Sequence, residues 1–179
     1  MSLSTIEFDV LRRTIASRGT ARMVLFVITV IAWASVATVV AAGAAPAIGT
    51  LFSLLILIAG FESVHALHVG VERIGRYLRV FYEDAPDGPR WETMVSAVGP
   101  ALPGGGIDPL FTLVFAAAAI ANCVPLLALS SSRATAAFVG ILHMTFLVRL
   151  VRARRAAARQ RAADLETFRA LQAKTTASV

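Results

Sequence analysis

The sequence predicts an all-α integral membrane protein: a four-transmembrane-helix bundle of two antiparallel helical hairpins with cytoplasmic helical extensions. Three observations carry this expectation. The 179 residues are 57% apolar, with a mean hydropathy of +0.73. Most charges are crowded outside four long apolar stretches, and the arginines gather at alternate ends of those stretches. A soluble domain of this size rarely carries several separate apolar runs of about 20 residues, the length that crosses a bilayer.

Residues 1–22 form a basic amphipathic amino-terminal segment with Arg12, Arg13, Arg18 and Arg22. The first span follows at about 23–44. The small residues after it suggest a signal-cleavage site, but the apolar run exceeds the roughly 7–15 residues of a signal peptide, so a retained anchor is expected. The second span covers about 48–70, with Pro46 suited to a helix start because the N–H it lacks would be unpaired there. A long charged connection, 73–106, holds a short helix around 91–98, where Trp91, Met94, Val95 and Val98 recur at helical spacing and suit the membrane surface. Pro100, Pro103 and the triplet Gly104, Gly105 and Gly106 make a flexible lead into the third span, about 107–129. The triplet is no phosphate loop, because no Lys-Ser/Thr follows it. The fourth span, about 134–151, closes a membrane domain of 23–151. Residues 152–179 are then a basic carboxy-terminal helix and tail.

Arginine placement sets the orientation, since cytoplasmic flanks carry the Lys and Arg excess. The amino-terminal segment, the connection with Arg73, Arg76, Arg79 and Arg90, and the tail from Arg149 to Arg161 share one side; only Arg133 falls on the other. Both termini are therefore expected in the cytoplasm, in a bacterial-type inner (plasma) membrane. Arg149, Arg152, Arg154, Arg155, Arg159 and Arg161, clustered below the last span, are candidate contacts to anionic lipid.

The chain's three histidines fall in or beside these spans. At about 100° per residue, Glu62, His65, His68, Glu72, Arg76, Arg79 and Glu83 all fall on one helix face. Ile74, Tyr77, Leu78, Phe81 and Tyr82 take the other side. Spacing pairs Glu72 with Arg76 and Arg79 with Glu83, and the outer part of this stripe reads as a solvated cytoplasmic face. Glu62 and His65 lie deeper, about one and two turns inward of the bilayer midpoint. A carboxylate there must be protonated, paired or facing water. His143 in span four is close to Glu62 in depth, so a hydrogen bond from Glu62 to His143 or to His65 is expected. Asn122 and Pro125 add a second polar point nearer the outer face, where proline leaves a backbone carbonyl without its helical partner.

Several function classes find no support. Cys123 is the only cysteine, which excludes an internal disulfide, and its apolar setting makes it a packing residue. No nucleophile elbow, His-Glu-x-x-His helix or Walker loop occurs, so no catalytic residue is assigned. The basic tail lacks the aromatic set of a nucleic-acid module.

Three readings remain. The first is a small homo-oligomeric membrane protein acting as an ion- or proton-conducting channel, with Glu62, His65, His68, Glu72, His143 and Asn122 along an intramembrane pathway. The second is a non-catalytic accessory or scaffold subunit whose carboxy-terminal helix docks a cytoplasmic protein. The third is a metal or haem site drawing on Glu62, His65, His68, Glu72 and His143, although a di-iron bundle needs a second Glu-x-x-His that only another copy supplies. No cofactor is expected on the first two.

Overall fold

The computed structural model describes residues 3–43, 46–83, 90–98, 110–129 and 132–177. It is all-helical, with no strand among the described residues. The helices are α1 (Leu3–Ala41), α2 (Pro46–Leu78), a π-helical turn (Arg79–Glu83), α3 (Trp91–Val98), α4 (Thr112–Leu129) and α5 (Arg133–Ala177). Three of them, over Thr5–Ala41, Ile48–Glu83 and Arg133–Thr175, contain stretches long and apolar enough to cross a membrane, whereas the apolar run Thr112–Pro125 is shorter. This marks the chain as a membrane protein. The expected start of the third span and the lead with Pro100, Pro103 and the glycine triplet lie outside the described residues.

Local chemistry explains the helix ends. α1 stops at Gly43, whose φ of 92° suits glycine; its N–H donates to the Val40 carbonyl at 3.0 Å, closing the last turn. α5 begins behind Ser132, whose Oγ accepts from the Thr135 N–H at 3.3 Å as an N-cap does. Before α4, Phe111 adopts a left-handed φ of 51°, a costly conformation for a bulky residue. Its ring stacks on Phe26 at 4.0 Å between centroids, and its carbonyl accepts the Phe115 N–H at 3.1 Å.

The chain divides into two compact units. The first comprises Arg22–Ala66 and Asp108–Arg154 and is apolar. Its core is Leu54, Leu57 and Phe61 from α2, Leu110, Phe115, Ala118 and Ala119 in and before α4, and Phe146, Leu150 and Ala153 from α5. Phe61 is the hub, meeting Phe115 edge-on at 5.4 Å and Phe146 at 6.0 Å, geometries that suit the ring quadrupole. α1 joins through Phe26 and Trp33 and meets α2 where Thr29 lies against Gly60, at a spot a side chain would fill. Exposed Ile28, Ile31, Leu113, Ile120, Phe138 and Ile141 give this unit an apolar outer surface, as a lipid solvent requires.

The second unit comprises Met1–Ala21, Leu67–Ile107 and Arg155–Val179, and it is held by charge. The Arg76 guanidinium donates to Asp164 Oδ2 through Nη2 at 2.8 Å and Nε at 3.1 Å, and to Glu72 at 3.1 Å. Gln172 donates to the Val80 carbonyl at 2.8 Å. Tyr77 and Phe81 pack against Phe168 at 5.7 and 6.4 Å, and Phe8 against Tyr82 at 5.5 Å. α3 is fixed at its start: Glu83 takes the Glu92 and Thr93 N–H groups on its two carboxylate oxygens at 2.6 and 2.7 Å, while Arg12 pairs with Glu92 at 3.0 Å. Trp91, Met94 and Val98 remain exposed.

The stripe of α2 therefore departs from the sequence expectation in its second half. The pairing of Glu72 with Arg76 occurs, but Arg76 and Glu83 are buried, at 8% and 6% exposure, rather than on a solvated face. Arg76 is covered because Asp164 of α5 meets it. Glu83 is carried off the α-helical phase by the π turn and buried under the first turn of α3.

Candidate functional site

Two polar centres lie in the apolar unit. The first forms around Phe61. Arg149 Nη2 donates to Glu62 Oε2 at 2.8 Å, and the guanidinium carbon lies 5.9 Å from the Phe61 centroid, within cation–π range. His65, one turn along α2, stacks on the same ring at 5.9 Å. Glu62 thus takes neither of its expected histidine partners. A charged fork from α5 makes a stronger, charge-assisted bond than a neutral imidazole can, and His65 turns to the Phe61 ring. The side chains of Glu62 and Arg149 are 41% and 39% exposed.

Arg149, a candidate lipid contact by sequence, is accordingly the ion-pair partner of Glu62. Arg152, Arg154, Arg155, Arg159 and Arg161 are exposed, with Arg161 reaching Glu72 at 3.5 Å.

The second centre joins residues that the sequence treats as separate points. Asn122 Nδ2 donates to the Thr50 carbonyl at 2.9 Å and lies 3.0 Å from His143 Nε2, while His143 Nδ1 is 2.8 Å from the Val139 carbonyl. A carbonyl only accepts, so Nδ1 carries the imidazole proton and Nε2 accepts from Asn122. Both amide hydrogens of Asn122 are then committed, and the ring is fixed in one tautomer. Asn122 and His143 are 3% and 2% exposed, and Thr50 and Ser53 on α2 are fully buried. The two hydroxyl residues escape sequence reasoning because helical serine and threonine normally bond their own backbone. Their shared face, three residues apart on α2, is the signal that could have found them.

The remaining stripe residues, His68 and Glu72, belong to the charged unit, where His68 is buried. Among the described residues, no three of histidine, cysteine, aspartate and glutamate converge as metal ligands.

Charge placement in that unit shifts several acids. Burial pushes the Asp164 carboxyl up, but hydrogen bonds from Gln160 and Arg76 and the charges of Arg76 and Arg73 outweigh it and hold the group below its ordinary range. At Glu92 burial raises the carboxyl, Arg12 offsets part of the rise, and Glu83 and Glu72 add to it. Burial, with a hydrogen bond to and the charge of Glu7, carries the Tyr82 phenol up to about 12. Comparison of the chain with protein-family models, with curated proteins and with solved structures finds no match.

Proposed function

We propose that the protein is a non-catalytic accessory or scaffold subunit of a membrane complex, four-spanning, with both termini in the cytoplasm of a bacterial-type inner membrane. The observation that carries this reading is the pairing of Glu62 with Arg149 at 2.8 Å. A conducting carboxylate needs water or a mobile proton, whereas this one is matched by a fixed cation within its own chain. The Asn122–His143 centre supports the same reading, since its donors and acceptors close on one another and a carbonyl. Such pairs fix helix register. At about 1.5 Å per residue, the 18 residues of α4 reach nearly across a hydrocarbon core of about 30 Å, which supports its role as the fourth span. The exposed arginines from Arg152 to Arg161 then serve as contacts for anionic lipid and an acidic cytoplasmic partner.

A channel is the second reading, favoured by the partial exposure of Glu62 and Arg149 on the surface of one copy. An ion pair facing lipid is costly, so a second copy or a water path would cover it. Reconstitution into liposomes separates the two readings. The scaffold reading expects proton and potassium flux equal to that of protein-free vesicles, and a complex of fixed stoichiometry from native membranes that dissociates when Arg154, Arg155 and Arg159 become glutamine. Flux abolished by Glu62→Gln with assembly intact would overturn it in favour of conduction.

A further inference from the structure

The hydroxyls of Thr50 and Ser53 are buried groups of the apolar unit without a partner among the described residues. Both residues are at 0% exposure, and among the described residues neither Thr50 Oγ1 nor Ser53 Oγ has a hydrogen-bond partner. Elsewhere in this unit the hydroxyls of Thr29, Ser35, Thr38, Ser63 and Thr145 each donate to the carbonyl four residues earlier, at 2.7 to 2.9 Å. That bond is the default for a helical serine or threonine in apolar surroundings. Thr50 and Ser53 do not make it.

Thr50 and Ser53 are neighbours on one helix. Three residues apart, they share a face of α2. The carbonyl of Thr50 itself receives Asn122, which continues to His143 and the Val139 carbonyl. A buried hydroxyl without a partner costs about 1–3 kcal/mol, and buried polar groups in native proteins are paired with protein or ordered water. Two such hydroxyls one turn apart on α2 supply two of the two to four polar partners a buried water uses.

We infer that Thr50 Oγ1 and Ser53 Oγ jointly bind an internal water molecule on α2, at the residue whose backbone carbonyl receives Asn122. Water fits better than a cation. The hydroxyls carry no charge to match a cation, and an unmatched positive charge in an apolar unit is expensive. The site is independent of the scaffold reading and makes no use of Glu62.

The test uses the full-length protein in lipid nanodiscs, with Thr50→Val, Ser53→Ala and the pair. If the hydroxyls bind one water, each single change lowers Tm by about 2–4 °C, and the double change costs less than the sum because the second removes a water already lost. Removal of dry, unpaired hydroxyls would leave Tm unchanged or raise it, and that outcome overturns the inference. An experimental density map provides the second measurement. A peak within about 2.6–3.2 Å of both oxygens, absent in Thr50→Val, supports the water; a continuous apolar wall there overturns it. A Tm rise specific to lithium, sodium or potassium over choline chloride would replace water with a cation and also overturn the assignment.

Discussion

Arg76 and Asp164 stand 88 residues apart in the chain, yet their side chains form a two-pronged bond and are only 9% and 11% exposed. Removing one partner of a buried pair leaves the other charge unmatched, at about 3 kcal/mol. Asp164→Asn should therefore lower the unfolding midpoint clearly, and Arg76→Met with Asp164→Leu should cost less than either single change. Asp164 also sets an acid limit. Its carboxyl is held below the ordinary range when folded, so its contribution is present above the unfolded value of about 3.9. It is lost as pH falls through the lower folded value. Denaturant melts between pH 2 and 5 should show this slope in the native protein and its absence in Asp164→Asn.

Glu92 has the opposite sign. Its folded carboxyl lies above the ordinary range, so the folded state holds the proton more tightly than the unfolded chain. The stability this gives is complete below about pH 4.3 and disappears as pH rises through the higher folded value. Glu92→Gln should flatten the melting profile across that window. A steeper profile in the variant would contradict the assignment.

The approach of α1 to α2 at Thr29 and Gly60 predicts a size limit. A methyl at position 60 would overlap the Thr29 side chain, so Gly60→Ala should destabilise by about 1–3 kcal/mol. Thr29→Ala in the same protein should restore part of the loss, read as thermal melting in detergent.

Asn122 serves two acceptors at once, and Asn122→Ala strands both the Thr50 carbonyl and His143 Nε2. The expected cost is about 1–2 kcal/mol. Asn122→Leu combined with His143→Phe should be less harmful than the two separate losses, because the acceptor on His143 disappears with its donor.

Much of this architecture is legible in the chain. Hydropathy locates α1, α2 and the first half of α5, and the i,i+4 spacing of Glu72 and Arg76 anticipates their bond. What hydropathy cannot convey is partner choice. Charge on the extension of α2 reads as exposure because nothing local indicates that Asp164 will meet Arg76. Arg149 reads as part of the arginine cluster because counting basic residues ignores where each lies along its helix. Its position two residues before the expected end of span four was the available clue, since a cation at that depth needs an anion and Glu62 lies at a comparable depth on α2. Asn122 was visible as an outer polar point and His143 as a deeper one, but their junction depends on the facing of two helices, which one sequence leaves open.

The π turn at Arg79–Glu83 has a genetic consequence. A π turn holds one residue more than the α-helix needs, so deleting a single residue within it should leave a continuous helix of good propensity. That shortening would rotate Glu83 by about 100° and withdraw both carboxylate oxygens from the start of α3. At this turn single-residue deletions should be more harmful than most substitutions, and a compensating insertion placed before Glu83 should restore α3 without restoring the original sequence.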